Sequence, residues 1–174
     1  MLMLLRDDTQ GIVRGIALRL SDMPLPSAGL LMYRKRKELE VFLVHPGGPY
    51  FANKDKGHWG VPKGEYTEGE DPLDAAVREF AEETGFTAAP PFVPLGEIRQ
   101  KNRKVVTTWA FEGDCDPAKL VSNTCEILWP PKSGRTLTIP EVDAGRWFTM
   151  AAAKESMRGD QVELLGRLVG VVGE

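Results

Sequence analysis

A chain of 174 residues, 42% of them hydrophobic, is long enough for one domain with a sizeable core. With 25 acidic against 22 basic residues and a pI near 5.5, it has no broad positive surface of the kind that holds extended nucleic acid. Cys115 and Cys125 match no zinc spacing, and two cysteines without a signal peptide fit a reduced, cytoplasmic protein.

Residues 1–26 read as an N-terminal extension. Met1 to Leu5 is apolar, but Arg6, Asp7 and Asp8 interrupt it short of the roughly 7–15 apolar residues of a signal-peptide core, so neither secretion nor a membrane span is expected. A partial alternation over residues 12–20 suggests an added edge strand, on the same subunit or a partner's. The main domain is expected over residues 27–172, as a monomer or a homodimer. It opens with a hairpin, residues 27–34 and 39–44, that turns at Lys35-Arg36-Lys37-Glu38. After the central helix, residues 92–97, 104–112 and 145–149 read as strands, and 151–157 and 160–169 as helices, the last started by Asp160 and Glu163.

The central helix carries the chemistry. Asp71 can cap it, Pro72 suits its first position, Asp74 favours its first turn, and Gly85 suits a left-handed stop. Leu73, Ala76, Val77, Phe80 and Ala81 form its apolar stripe, while Glu79, Glu82 and Glu83 at i, i+3 and i+4 gather on another face. Like charges at this spacing repel, and the helix dipole disfavours anions at this end. A solvated acidic face normally mixes signs, so three anions here point to a bound cation. Hard divalent cations take oxygen ligands, and Mg²⁺ commonly shares its shell with substrate phosphates. Just upstream, Gly57-His58-Trp59-Gly60-Val61-Pro62-Lys63-Gly64 offers glycines for close backbone approach and Lys63 as a point charge for a phosphate.

The run of Gly64, Glu70 and Arg78-Glu79-Phe80-Ala81-Glu82-Glu83-Thr84-Gly85-Phe86 resembles the signature of the Nudix hydrolases at every defining position. The resemblance extends over roughly residues 27–172. It implies an α/β (α+β) fold, an α/β/α sandwich around a mixed β-sheet, and metal-dependent cleavage of a pyrophosphate bond in a nucleoside diphosphate linked to another moiety, with Mg²⁺ or Mn²⁺ as cofactor. It makes Glu79, Glu82, Glu83 and the Gly64 carbonyl the metal ligands. Arg78 is implied to hold a carboxylate of the motif by a bidentate pair, and Glu70 to support loop and helix. Glu141, six residues before Trp147, matches a late acid that serves as metal ligand or as base on the attacking water, with Asp143 and Glu126 as weaker substitutes. Either Glu83 or Glu141 would take the proton, and Lys63, with Arg99, Arg103 or Lys104, would hold outer phosphates.

Gly57 to Glu65, Gly69 to Pro72 and Gly145 to Phe148 look like the branch that includes asymmetrical diadenosine tetraphosphate hydrolases, which implies a dinucleoside tetraphosphate cleaved to ATP and AMP. Two insertions depart from that branch, residues 45–56 and 129–135, and both are expected around the cleft. Tyr50, Phe51 and Trp129 on them are candidates to stack on a base. His45 reads as a strand-end residue and His58 as a loop residue. The alternatives are a nucleoside triphosphate pyrophosphatase, an enzyme acting on RNA 5′ ends, and a nucleotide-binding module that lost its chemistry. The last should lack a carboxylate of the motif, and none is missing.

Overall fold

The computed structural model describes residues 26–173, so the edge strand expected within residues 12–20 lies outside the described residues. β1 (Ser27–Lys35) and β2 (Leu39–Pro46) form the antiparallel hairpin, with the Arg36 N–H donating to the Glu38 carbonyl across the turn. β1 also runs parallel to β5 (Val105–Glu112), and β4 (Val93–Arg99) and β8 (Val142–Thr149) close the sheet antiparallel to β5 and β2. β3 (Lys63–Glu65) pairs with Ser27–Gly29 of β1, beyond the stretch that β2 occupies. Among the described residues this gives a mixed six-stranded sheet in the order β4-β5-β1-β2-β8, with β3 branching from β1.

Both faces of the sheet are covered, which is why β1 and β2 read as near-continuous apolar runs rather than alternating ones. Ala28, Leu30 and Met32, with Phe42 and Val44, pack under α1 (Pro72–Thr84) against Phe80 and Phe111. Leu31 and Tyr33, with Val41 and Leu43, face the other way onto α2 (Met150–Ser156) and α3 (Glu163–Val172), through Ala153, Met157, Leu164 and Leu168. The arrangement is the α/β/α sandwich expected from the sequence.

Four details differ from expectation. β3 has only three residues, two of them charged, which is too short for any periodic signal. β6 (Thr124–Leu128) and β7 (Thr136–Pro140) form a separate two-stranded sheet with no counterpart in the sequence reading. β8 begins at Val142, three residues earlier than expected. α3 begins only at Glu163, because the Asp160 carboxylate faces the Arg158 guanidinium instead of capping a helix.

Candidate active site

α1 ends as its sequence dictates. The Asp71 carboxylate accepts from the Leu73 and Asp74 N–H groups, Pro72 occupies the first turn, and Gly85 at φ 74° donates to the Ala81 carbonyl. Its buried face comprises Ala75, Ala76, Glu79, Phe80, Glu83 and Thr84, while Ala81, expected in the apolar stripe, is exposed. At 100° per residue the buried face is centred about 80° from the apolar stripe, toward the acids. The helix is therefore rolled so that two of its carboxylates are drawn under β3.

There Glu79 and Glu83, 7% and 9% exposed, converge with Glu141, and ligand oxygens from all three lie within 4.8 Å of one another. The Lys63 N–H donates to Glu83 Oε2 at 3.1 Å. Gly64 lies against the Glu79 carboxylate so closely that a Cβ there would fall 2.0 Å from its Cδ. Glu82 does not join this group; it stands 42% exposed, with Oε2 3.3 Å from Arg78 Nη1. Arg78 makes its two-pronged pair with Glu70, at 2.8 and 3.2 Å, and reaches Glu79 Oε1 with one N–H at 2.6 Å. A further N–H donates to the Glu65 carbonyl at 3.3 Å, so this one guanidinium ties the approach loop, β3 and the carboxylate cluster together.

Backbone hydrogen bonds bring Glu141 into place. The carbonyls of Thr84 and Glu82, at the end of α1, accept from the N–H groups of Val121 and Asn123, and the Asn123 carbonyl accepts from the Glu141 N–H. The Glu141 carbonyl in turn accepts from the Gly47 N–H, which fastens the loop after β2. Of the substitutes, Asp143 is committed to His45 at 2.7 Å, and Glu126 is exposed on β6.

Burial pushes the Glu83 carboxyl up to about 8 against the pull of Lys63 and its N–H, and raises Glu79 against the pull of Arg78. Desolvation lowers Lys63, with Arg158 and Lys104 adding to the effect against Glu83. Two acids whose ionisation burial opposes, with a third facing them, form a donor set suited to a small hard divalent cation, whose charge would offset the desolvation.

Two adjoining pockets lead to this cluster and share His58 and Arg158. The narrow one, about 70 Å³, reaches Lys63 and Glu83; the wider, about 310 Å³, is lined by Tyr50, Phe51, Lys101 and Asp160. Tyr50 and Phe51 meet edge to face at 4.8 Å, and Lys54 Nζ lies 3.4 Å from the Tyr50 ring centroid. His45 is more than a strand-end residue: its two ring nitrogens bridge the Asp143 carboxylate and the Lys54 carbonyl, each at 2.7 Å, and so pin this aromatic loop to β8.

Other sequence candidates lie elsewhere. Arg103 is exposed in the β4–β5 turn with a left-handed φ of 66°, Arg99 is exposed at the end of β4, and Lys104 is paired with Glu65 at 2.6 Å. Trp129 corrects the expectation that residues 129–135 flank the cleft. They are the tip of the β6–β7 hairpin, where the Trp129 N–H donates to the Arg135 carbonyl, and neither pocket includes them. Conversely, Lys101, Arg158, Asp160 and Gln161 line the cleft although the sequence reading gave none of them a role in it; an Arg-Gly-Asp-Gln stretch between two helices resembles any polar linker.

A mixed sheet between helices, with a carboxylate cluster reached by a cleft that Lys63, Lys101 and Arg158 line, defines a class of site suited to metal-assisted chemistry on phosphates. The chain belongs to the NUDIX domain family, whose model matches residues 23–168. A curated relative, the RNA pyrophosphohydrolase of Brucella ovis, is 31% identical over 108 residues, covering 53% of this chain and 56% of the relative. That of Rhizobium meliloti is 33% identical over 107 residues, covering 53% and 59%. The alignments thus span little more than half the length of these relatives. Among solved structures, a Caenorhabditis elegans Ap4A hydrolase binary complex superposes with a TM-score of 0.58 at 22% identity, covering 83% of this chain and 96% of that one. The NUDIX domain of Shewanella oneidensis NrtR complexed with ADP ribose gives 0.59 at 16% identity, covering 88% and 96%. At these identities the structural likeness establishes the fold. Among the described residues no helix is long and apolar enough to cross a membrane.

Proposed function

We propose that this protein is a divalent-metal-dependent hydrolase that cleaves a pyrophosphate bond in a nucleoside polyphosphate by attack of water on phosphorus. The observation that carries this reading is the convergence of Glu79, Glu83 and Glu141 within 4.8 Å beside a cleft lined by Lys63 and Arg158. Glu79, Glu83 and Glu141, with Glu82 after a rotamer change and the Gly64 carbonyl, would hold Mg²⁺ or Mn²⁺, which when bound would supply charge neutralisation for the phosphates and a more acidic water. Arg78 keeps Glu79 in position. Glu83 or Glu141 accepts the proton of the attacking water. Lys63, which lines the narrow pocket beside Glu83, holds a phosphate.

Within that class we read the substrate as a dinucleoside tetraphosphate, cleaved to ATP and AMP. Tyr50, 60% exposed beside Phe51, presents a ring face for a base at a set distance from the carboxylates. Support also comes from the resemblance of the Trp59 to Gly64 entry to that of the asymmetrical hydrolases. A second reading, an enzyme acting on RNA 5′ ends, is favoured by the relatives named RNA pyrophosphohydrolase and by Lys101 at the rim of the wider pocket. A reaction panel with Mg²⁺ and Mn²⁺ tests both. Diadenosine tetraphosphate giving ATP and AMP supports the first, and two ADP molecules exclude it. Release of pyrophosphate from triphosphorylated RNA alone selects the second. Efficient conversion of a nucleoside triphosphate to its monophosphate, without either, makes it a nucleotide-pool pyrophosphatase, and no turnover of any substrate overturns the hydrolase reading.

A further inference from the structure

The segment joining α2 to α3 contributes nothing to the motif between Gly64 and Phe86, yet it forms a wall of the cleft. Trp59 fixes it in place: the Trp59 N–H donates to the Ser156 carbonyl at 3.1 Å, and the Arg158 N–H donates to the Trp59 carbonyl at 2.8 Å. Arg158 and Gln161 thereby face the narrow pocket together with Lys63 and Glu83. Two contacts of 3.3 Å, from Arg158 Nε and Nη2 to the Asp160 carboxylate, set the plane of the guanidinium.

Gln161 is wholly buried. Its Oε1 accepts the Val61 N–H at 3.0 Å, which fixes the orientation of the amide, because a flipped amide would set one N–H against another. Nε2 therefore carries two N–H groups, and among the described residues it has no partner. A buried amide donor without an acceptor is rare, since it forfeits its hydrogen bonds to water and gains none in return. Space has nonetheless been made for it: a Cβ at Gly60 would fall 2.7 Å from Gln161 Oε1 and 3.2 Å from Nε2. The fold thus holds a neutral donor, without an acceptor of its own, beside two cations at the edge of the carboxylate cluster.

We propose that Gln161 and Arg158 complete, with Lys63, a subsite for one phosphate group of the substrate's polyphosphate chain, Gln161 donating through Nε2. A phosphate oxygen supplies the missing acceptor, and its negative charge meets the two cations. This rests on the pyrophosphohydrolase reading above and adds to it residues that bind the chain on the side away from α1. It also assigns the α2–α3 connection a direct contact with substrate.

The test is calorimetric titration of the full chain with inorganic pyrophosphate, with and without Mg²⁺, beside steady-state kinetics and a Mn²⁺ titration. Gln161→Glu keeps an acceptor for the Val61 N–H and replaces the donor with an oxygen; Gln161→Met keeps the volume and removes the donor; Arg158→Gln alters a side chain that is 40% exposed and should fold normally. Pyrophosphate affinity should fall by about tenfold or more in each, KM should rise in parallel with kcat within about threefold, and Mn²⁺ affinity should not move in Gln161→Met, the variant that leaves the charge of the site unchanged. Unchanged pyrophosphate affinity and KM in Gln161→Met and Arg158→Gln overturn the subsite, as does a wild-type protein that binds no pyrophosphate. Gln161-dependent pyrophosphate binding in a protein that hydrolyses no nucleotide keeps the subsite and removes the hydrolase reading, so the two fail separately.

Discussion

Replacing Gly64 with Ala sets a methyl group in space that the Glu79 carboxylate occupies. The new Cβ would lie 2.0 Å from Cδ and Oε2 and 2.4 Å from Oε1, where real contacts stay beyond 3.0 Å. Gly64 has no left-handed φ, so the backbone tolerates Ala and the side chain must yield, by about 1 Å. That displacement stretches the 2.6 Å bond from Arg78 and opens the group that Glu79 forms with Glu83 and Glu141. A misplacement of about 1 Å at a reacting centre can cost on the order of 10²-fold in rate, about 2.7 kcal/mol of barrier. Loss of a charge-assisted hydrogen bond costs about 1.5–3 kcal/mol of stability, partly offset by the added methyl, so the melting temperature should fall by only a few degrees. The assay is a Mn²⁺ titration paired with kcat and a thermal melt. Wild-type Mn²⁺ affinity and full turnover in a folded Gly64→Ala protein would refute the role given to Glu79.

In the metal-free protein Glu83 binds its proton more tightly folded than unfolded, since its carboxyl is raised from 4.5 to about 8. The stability this confers is complete below about pH 4.5 and is lost as pH rises through 8. Urea melts without metal should lose on the order of a few kcal/mol between pH 5 and 8.5, and a slope that survives in Glu83→Gln would show that another group is responsible. Glu82→Gln should weaken Mn²⁺ binding less than Glu79→Gln or Glu83→Gln, because Glu82 lies outside the converged group and is spent on Arg78; an equal loss in all three would mean that Glu82 swings fully inward. Gly166→Ala, at an exposed position of α3 where a Cβ meets nothing within 4 Å, should stabilise by about 0.5–1 kcal/mol and raise the melting temperature by roughly 2 °C with Mn²⁺ affinity unchanged; a lower melting temperature would count against the open packing seen there. Replacing residues 129–135 by a two-residue turn should leave Mn²⁺ affinity intact, since Glu141 is held at the hairpin base; a marked loss would tie the tip to the site.

What the sequence displayed well was periodic or capped. α1 could be placed to the residue because Asp71, Pro72 and Gly85 each act through local backbone chemistry, and β1 and β2 appear as near-continuous apolar runs. β6 and β7 are legible only in retrospect, because neither strand fully buries a residue: the inward positions of β6 are only half-buried and β7 is exposed at four of its five residues, so no apolar face marks them in the sequence. The same limit applies to the carboxylates. Spacing put Glu79, Glu82 and Glu83 on one side of a helix, but which of them turns inward depends on how far the helix rolls on the sheet, and that is set by Ala75, Thr84 and the close approach of Gly64.

Glu141 shows why the remainder of the site could be read only by analogy. Its own neighbours carry no periodic signal, and what ties its main chain to the cluster lies far along the sequence: β7 pairs Pro140 with Thr124, and the last carbonyls of α1 need donors that the helix itself cannot supply. Val121 and Asn123 provide them, Asn123 passes the constraint to the Glu141 N–H, and the Glu141 carbonyl passes it to Gly47 at the root of the aromatic loop. Gly47 permits this approach, since a Cβ there would fall 2.1 Å from the Pro140 carbonyl oxygen. One thread of backbone hydrogen bonds therefore sets the third carboxylate relative to the other two, and the loop bearing Tyr50 and Phe51 relative to all three. The main chains that carry Glu141, Tyr50 and Phe51 are thus tied to the end of α1, and the His45 bridge between Asp143 and the Lys54 carbonyl adds a side-chain anchor; a site that is to cut a phosphate chain at a constant position from a base needs anchoring of this kind.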